Sequence, residues 1–530
     1  MQGEGRGRGL GVRVGLFLLV ITSVGAWGQQ VPPPGTGTKD AKPQAPMTKA
    51  QATELFKSVD EILGFVSQDT KLAIVHPVKR KLISRDEVNK YLVKKFAEDE
   101  GARRMERAEI VLKKFGLLDR DFHLRPFLVK LLTEQIAGFY DNKTKTVNLL
   151  DWIQPEEQKP VLAHELTHAL QDQKVDLTKW SDMSVNGVAK NAEEDNKHLQ
   201  TDEAETARSA VAEGQAMVTF IDYTLRPSGK TLADAPELAG KLKDSVSDTS
   251  GSPILARAPL LLQESLLFPY SEGLSFEQAL LVKGGQEVAF AGALMNPPSS
   301  SFEIMTPKAY LAHTPVPVLR LPDIHPLLAA EYEPYDLGVM GELDVRILME
   351  LFGGREIAEA LAPAWNGGIY YAAQKKSAAT AAQKESTASI GLLYESRWKN
   401  PDSARSFVRV YAAQLGRKYQ RLVRRNADEA NDTEQVYSTE EGDVLISTST
   451  SGSGVFVSEG FALPLARKLR DSIESVQSDG PLRVAGVDSV GNGGAGGMRG
   501  HELSLGLVRG MAGFGVMKAA IPAAIYSVGR

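Results

Sequence analysis

The sequence predicts an α+β fold: a mainly helical domain with a small β-hairpin beside one helix, then a smaller α+β region with antiparallel strands. Three observations predict it. Apolar residues recur at three- and four-residue spacing through most of the first 330 residues. That period breaks where Gly138-Phe139-Tyr140 and Thr146-Val147-Asn148-Leu149-Leu150 flank the turn residues Asp141-Asn142-Lys143. From residue 331 onward, helical segments alternate with period-two segments.

Taken in order, Arg6, Arg8 and Arg13 precede the apolar run VGLFLLVITSVGAW, and the small residues Ala26 and Gly28 close it. This is the pattern of an export signal, and the run falls short of the ~20 residues that a spanning helix needs. Residues 1–28 are therefore expected to be a signal peptide, placing the chain in the periplasm or outside the cell with no transmembrane anchor after cleavage. Residues 29–48, rich in Pro, Thr and Lys, read as a flexible tether. A domain over 49–330 follows, helical from Gln51 to about Phe139: Leu55, Val59, Ile62, Leu63 and Val66 form one stripe, and Phe127, Leu128, Leu131, Leu132 and Ile136 another. After the hairpin, a helix is expected across VLAHELTHALQDQ and a second over 202–225. Between them, residues 174–200 are polar and acidic without a period, and read as a mobile surface insertion near the cleft. Residues 254–330 read as helical pieces broken by Gly284-Gly285 and Pro297-Pro298. In the region 331–476, helices are expected at 340–352, 355–362, 402–424 and 460–476. QVYST, DVLISTS and GVFVS read as an antiparallel meander, and 379–388 as a loop between two strands. The Gly-rich remainder, 477–530, reads as a disordered tail.

Composition narrows the chemistry. The 61 basic and 66 acidic side chains leave a net charge of −5, which supplies no global positive field for nucleic acid. The 530 residues include no cysteine, so disulfides, thiolate metal sites and thiol nucleophiles are excluded. A metal must be held by Asp, Glu and the eight histidines.

Two of those histidines stand in His164-Glu165-Leu166-Thr167-His168, an HExxH string on an apolar helical pattern. Four-residue spacing sets His164 and His168 one turn apart on one face, where they can grip a single ion. Glu165 lies about 100° round the helix, where a base for a metal-activated water belongs. A catalytic zinc usually takes three protein ligands, and Glu213 in the downstream helix supplies the third. Its helical neighbours Ala210, Met217, Phe220 and Thr206 are mostly small or apolar, a costly place for an uncompensated carboxylate. Gly214 beside it would let two helices approach closely. Glu203 and Glu205 share a side with Arg208 and Ser209 and read as solvated. Asp172, one turn after His168, is a candidate acceptor for a ligand imidazole. For the oxyanion donor, Tyr140, His198, Tyr310 and His313 all stay open, and the Phe139–Asp141 strand offers an edge for an extended peptide.

The HExxH helix with a Glu on a later helix resembles the gluzincin class of zinc metallopeptidases. AGFYDNKTKTVNLL, AHELTHALQDQ, AVAEGQA and the Pro-Pro-Ser-Ser-Ser segment further resemble a poorly characterised group of exported bacterial metallopeptidase-like proteins, over about residues 130–425. The resemblance implies one zinc per chain on His164, His168 and Glu213, Glu165 as catalytic base, and a peptidase domain ahead of a smaller α/β region. Where members of that group carry a histidine after the double proline, this chain has Thr306. The expected function is an exported zinc-dependent hydrolase of peptides or proteins. The alternatives are a non-catalytic envelope scaffold that keeps the fold, and a zinc amidohydrolase acting on a non-peptide amide.

Overall fold

The computed structural model describes residues 46–98, 100–181, 191–235, 237–246 and 252–477. The expected signal peptide, residues 29–45 of the tether and the tail beyond Gln477 lie outside the described residues. Helices predominate and antiparallel strands form the second component, so the fold is α+β as the sequence predicts.

Thr48 opens α1 (Lys49–Thr70) with a capping box shared with Gln51, and the apolar stripe Leu55, Val59, Ile62, Leu63 and Val66 is buried. Next come β1 (Lys79–Ile83), α2 (Arg85–Glu98), α3 (Glu100–Phe115) and α4 (Leu124–Gln135). Strand β1 corrects the expectation of unbroken helix. Its partner is the distant strand β3, with Lys79 opposite Thr146 and Ile83 opposite Leu150 in a parallel ladder. A pairing so far apart in sequence leaves no mark on local periodicity. The expected hairpin is present as β2 (Phe139–Asp141) and β3 (Thr146–Leu150), giving a three-stranded sheet in the order β1-β3-β2.

Helix α5 (Pro155–Val175) follows the sheet. Pro155 stands at its start, Glu156 and Glu157 favour the positive end of its dipole, and Asp176 ends it in a left-handed conformation. Every residue from Val161 to Thr167 is buried, so this helix is covered on all sides. Part of the expected insertion is helix as well. Residues 182–190 lie outside the described residues, but α6 (Ala192–Thr201) buries Asp195, His198 and Leu199. Asn196 pins α6 by bonding both the N–H and the carbonyl of Leu321. The acidic character of that stretch hides this anchorage. Helix α7 (Ala204–Leu225) comes next, followed by the long α8 (Leu260–Glu287), which breaks at Gly285 (φ 69°) and continues into a π-helical turn at Val288–Gly292.

The second half contributes a seven-stranded antiparallel sheet in the order β4-β5-β6-β10-β9-β8-β7. Its strands are β4 (Tyr332–Val339), β5 (Trp365–Lys375), β6 (Ile390–Trp398), β7 (Leu422–Arg424), β8 (Glu434–Thr439), β9 (Gly442–Thr448) and β10 (Gly454–Glu459). Between and after them lie α9 (Glu342–Gly353), α10 (Arg355–Leu361), α11 (Pro401–Lys418) and α12 (Leu463–Ser475). The meander is as expected, but the helix expected over 402–424 stops at Lys418. Tyr419 turns extended, and Leu422–Arg424 pair with β8 instead. The two halves share one apolar core, with Phe115 of α3 packed edge-on against Tyr370 and Tyr394. Beside it, buried Lys114 reaches Glu441 at 2.8 Å. No helix among the described residues is long and apolar enough to cross a membrane.

The ends of α1 and α7 are joined by two carboxyls. Asp69 and Asp222 share a hydrogen bond, and Asp222 also accepts from the Leu232 N–H. Burial pushes both up, Asp222 to about 8 with the help of Asp69, so the pair holds one proton at neutral pH. Carboxyls raised above their unfolded range contribute most at acid pH, and that contribution is lost as pH rises through about 8. Asp222→Asn keeps a donor for Asp69 and an acceptor for Leu232 without a second charge. Its melting temperature should therefore fall less than that of wild type between about pH 6 and 9. Parallel pH profiles would contradict the shared proton.

Candidate metal centre

Helix α5 carries His164 and His168 on one face, and α7 brings Glu213 across to them. The three donor atoms lie close together: His164 Nε2 is 3.2 Å from His168 Nε2 and 3.2 Å from Glu213 Oε2, and His168 Nε2 is 3.5 Å from the same oxygen. Ligands about 2.0–2.1 Å from one tetrahedral zinc stand about 3.3 Å from each other, so these separations suit a single ion. Two imidazoles and a carboxylate are also a donor set that zinc accepts. Among the described residues, this is the one group of three or more His, Asp or Glu side chains close enough to hold a metal.

The helices meet for identifiable reasons. Thr167 and Thr219 share a hydroxyl hydrogen bond of 2.6 Å between α5 and α7. On its other flank α7 runs beside α8, where Gly214 faces Gly273 and Glu277, and Gly273 faces Ala210. A Cβ at either glycine would fall far inside contact distance of the opposite backbone carbonyl. The close approach expected from Gly214 is therefore real, and Gly273 is its counterpart.

Charge binds the cluster further. Burial would push Glu213 up, but His168 and His164 outweigh it and hold the carboxyl below its ordinary range. Burial would likewise lower His168, but Glu213 beside it lifts that imidazole to about 9. The proton on His168 supplies the positive charge that the buried carboxylate demands, and a cation entering the cluster must displace it. Tyr270 of α8, fully buried, stacks on the His164 ring at 6.3 Å, and burial together with the charge of Glu213 pushes its hydroxyl up.

Glu165 is buried beside the cluster, and its Oε2 accepts the backbone N–H of Tyr140 at 2.8 Å. Burial raises its carboxyl, against the lowering pull of both imidazoles. Strand β2 pairs with β3 along one edge only, so the Tyr140 N–H on the opposite edge points directly at Glu165.

Other candidates are placed elsewhere. Asp172 does not hold an imidazole: it accepts from the Tyr140 hydroxyl, Lys145 and the Leu177 N–H, tying β2 to α5. Its neighbour Gln171 faces His168 Nδ1 instead, at 2.9 Å. Tyr140 is thus a packed, bonded strand residue. His198 pairs with Asp202, Tyr310 donates to the Asn296 carbonyl, and His313 sits in a turn with φ 51°. Glu203, expected to be solvated, accepts from Ser300 and Ser301, and burial with Asp344 nearby pushes it to about 8. The Pro-Pro-Ser-Ser-Ser segment folds over the start of α7, which no spacing rule reveals. Glu205 is half-buried. Sequence reasoning missed Tyr270 and Gln171. The signal for Tyr270 was a hydroxyl set among the apolar residues of α8.

Compared with known proteins, the chain matches no family model, no curated protein and no solved structure.

The α7–α8 contact makes a direct prediction. Gly273→Ala should cost about 1–3 kcal/mol of unfolding free energy through overpacking. No atom lies within 4 Å of a Cβ placed at Gly64 in α1. Gly64→Ala should therefore stabilise by about 0.5–1 kcal/mol through helix propensity. Denaturant titration separates the two. Equal shifts would mean that α7 and α8 do not touch at Gly273.

Proposed function

We propose that the chain is an exported zinc-dependent peptide hydrolase of the gluzincin kind. The observation that carries this reading is the trio His164, His168 and Glu213 at 3.2–3.5 Å, with the carboxyl of Glu165 fixed beside it. His164, His168 and Glu213 would hold one zinc ion through two Nε2 atoms and one carboxylate oxygen. Bound there, zinc would acidify a water and polarise a carbonyl.

The remaining work falls to this chain's own residues. Glu165 takes a proton from the attacking water and returns it to the leaving amine. Its Oε2 is engaged by Tyr140, which aims the carboxyl and leaves Oε1 to receive that proton. Burial raises its affinity for a proton toward the range that general bases use. The outer edge of β2, expected to take an extended peptide, already gives its Tyr140 N–H to Glu165 and is buried there, so the peptide reading rests on the HExxH-and-Glu site and not on that edge. The proposed substrate is a peptide or protein. The basic and apolar N-terminus supports export.

Glu165→Gln is the test, with mature wild type and variant each incubated with a diverse peptide library and cleavages scored by mass spectrometry. Wild type should cut, chelator should abolish cutting, and the variant should be slower by about 10²–10⁴-fold. Peptides bound but never cut would favour the scaffold, and equal cutting by both proteins would remove Glu165 from the mechanism.

A further inference from the structure

Two glutamines, Gln171 in HELTHALQDQ and Gln215 in AEGQA, are fully buried and take no part in the reaction above. They are joined end to end. Gln215 Nε2 lies 2.8 Å from the Ala289 carbonyl and 3.1 Å from that of Phe290. Both carbonyls belong to the π-helical turn after α8. Gln215 Oε1 lies 2.9 Å from Gln171 Nε2, which is also 3.0 Å from the Ala212 carbonyl. Gln171 Oε1 then stands 2.9 Å from His168 Nδ1.

Backbone carbonyls only accept, and this determines every orientation in the chain. The Gln215 atom facing Ala289 and Phe290 must be its NH₂, so its oxygen faces Gln171. The Gln171 atom facing that oxygen and Ala212 must likewise be NH₂, so its oxygen faces His168. Nδ1 must then carry a proton and donate it. In the neutral ring, Nε2 is left with a lone pair directed at His164 and Glu213. The Phe290 carbonyl also accepts the Ala293 N–H, so Gln215 takes its second lone pair.

We propose that Gln171 and Gln215 are positioning residues: anchored on the π-turn carbonyls, they lock His168 in the Nδ1–H tautomer and keep Nε2 ready for a metal. The part that concerns the metal rests on the zinc reading of the site, whereas the tautomer lock stands without it. Partners of this kind around a ligand histidine typically change metal affinity by about 10–100-fold.

The experiment uses full-length mature protein with ¹⁵N-labelled histidine, first metal-free in alkaline solution where imidazole is neutral. His168 should show a protonated Nδ1 and a bare Nε2. Gln171→Met keeps the volume but removes the acceptor, and should shift the ring toward the other tautomer. Zinc is then titrated against a competing chelator. Gln171→Met and Gln215→Met should bind it about 10–100-fold more weakly than wild type. A wild-type His168 protonated at Nε2 would overturn the proposal with no variant needed, as would an unchanged tautomer in Gln171→Met. A wild type that carries the Nδ1–H form yet binds no zinc would leave the lock in place and remove the metal reading instead.

Discussion

A carboxylate cannot be buried among helices without a positive partner. Glu213 is in that position: its helix packs between α5 and α8, and its oxygen faces two imidazoles within 3.5 Å. Much of the helical half serves to keep this contact in place. Thr167 and Thr219 tie α5 to α7, and Gly214 with Gly273 bring α8 near enough for Tyr270 to stack on His164. A side chain at either glycine would push the helices apart and move the carboxylate from the histidines. Backbone proximity and electrostatic pairing are therefore one constraint seen at two scales.

The small sheet performs a second task. By pairing with β3 on one side only, β2 leaves its outer edge beside α5, and the Tyr140 N–H orients Glu165. Asp172 reinforces the arrangement by holding the Tyr140 hydroxyl and Lys145 together. One strand residue thus anchors α5 at two points, through its main chain at Glu165 and its side chain at Asp172. Glu165 owes its direction to the sheet and its raised affinity for a proton to burial. His168 owes its elevated proton affinity to Glu213. The two groups meet different needs within one turn of helix.

The legible and illegible parts of the sequence divide along physical lines. The four-residue spacing of His164 and His168 dictates a shared helical face, and the apolar setting of Glu213 announces a buried charge in need of a partner. Both signals are local, and the structure brings those residues together. Strand β1 was missed because its ladder joins residues far apart in the chain, and β7 because a helical start at Asn400-Pro401 says nothing about where the helix stops. Asp172 looked like the partner of His168 by spacing alone, but Gln171 holds that place. A one-residue difference in helical phase separates the two, finer than periodicity resolves. Glu203 looked exposed because its cover, Ser300 and Ser301, lies about a hundred residues away.

The central claim is that Glu213 completes a three-residue site for one ion, and metal stoichiometry tests it most directly. Purified protein is saturated with zinc, freed of loose metal by gel filtration and analysed by plasma mass spectrometry beside Glu213→Ala and Glu203→Ala. The account predicts one zinc per chain in wild type and in Glu203→Ala, and strong depletion in Glu213→Ala. Full occupancy in Glu213→Ala, or an absence of zinc from a folded wild type, would contradict it.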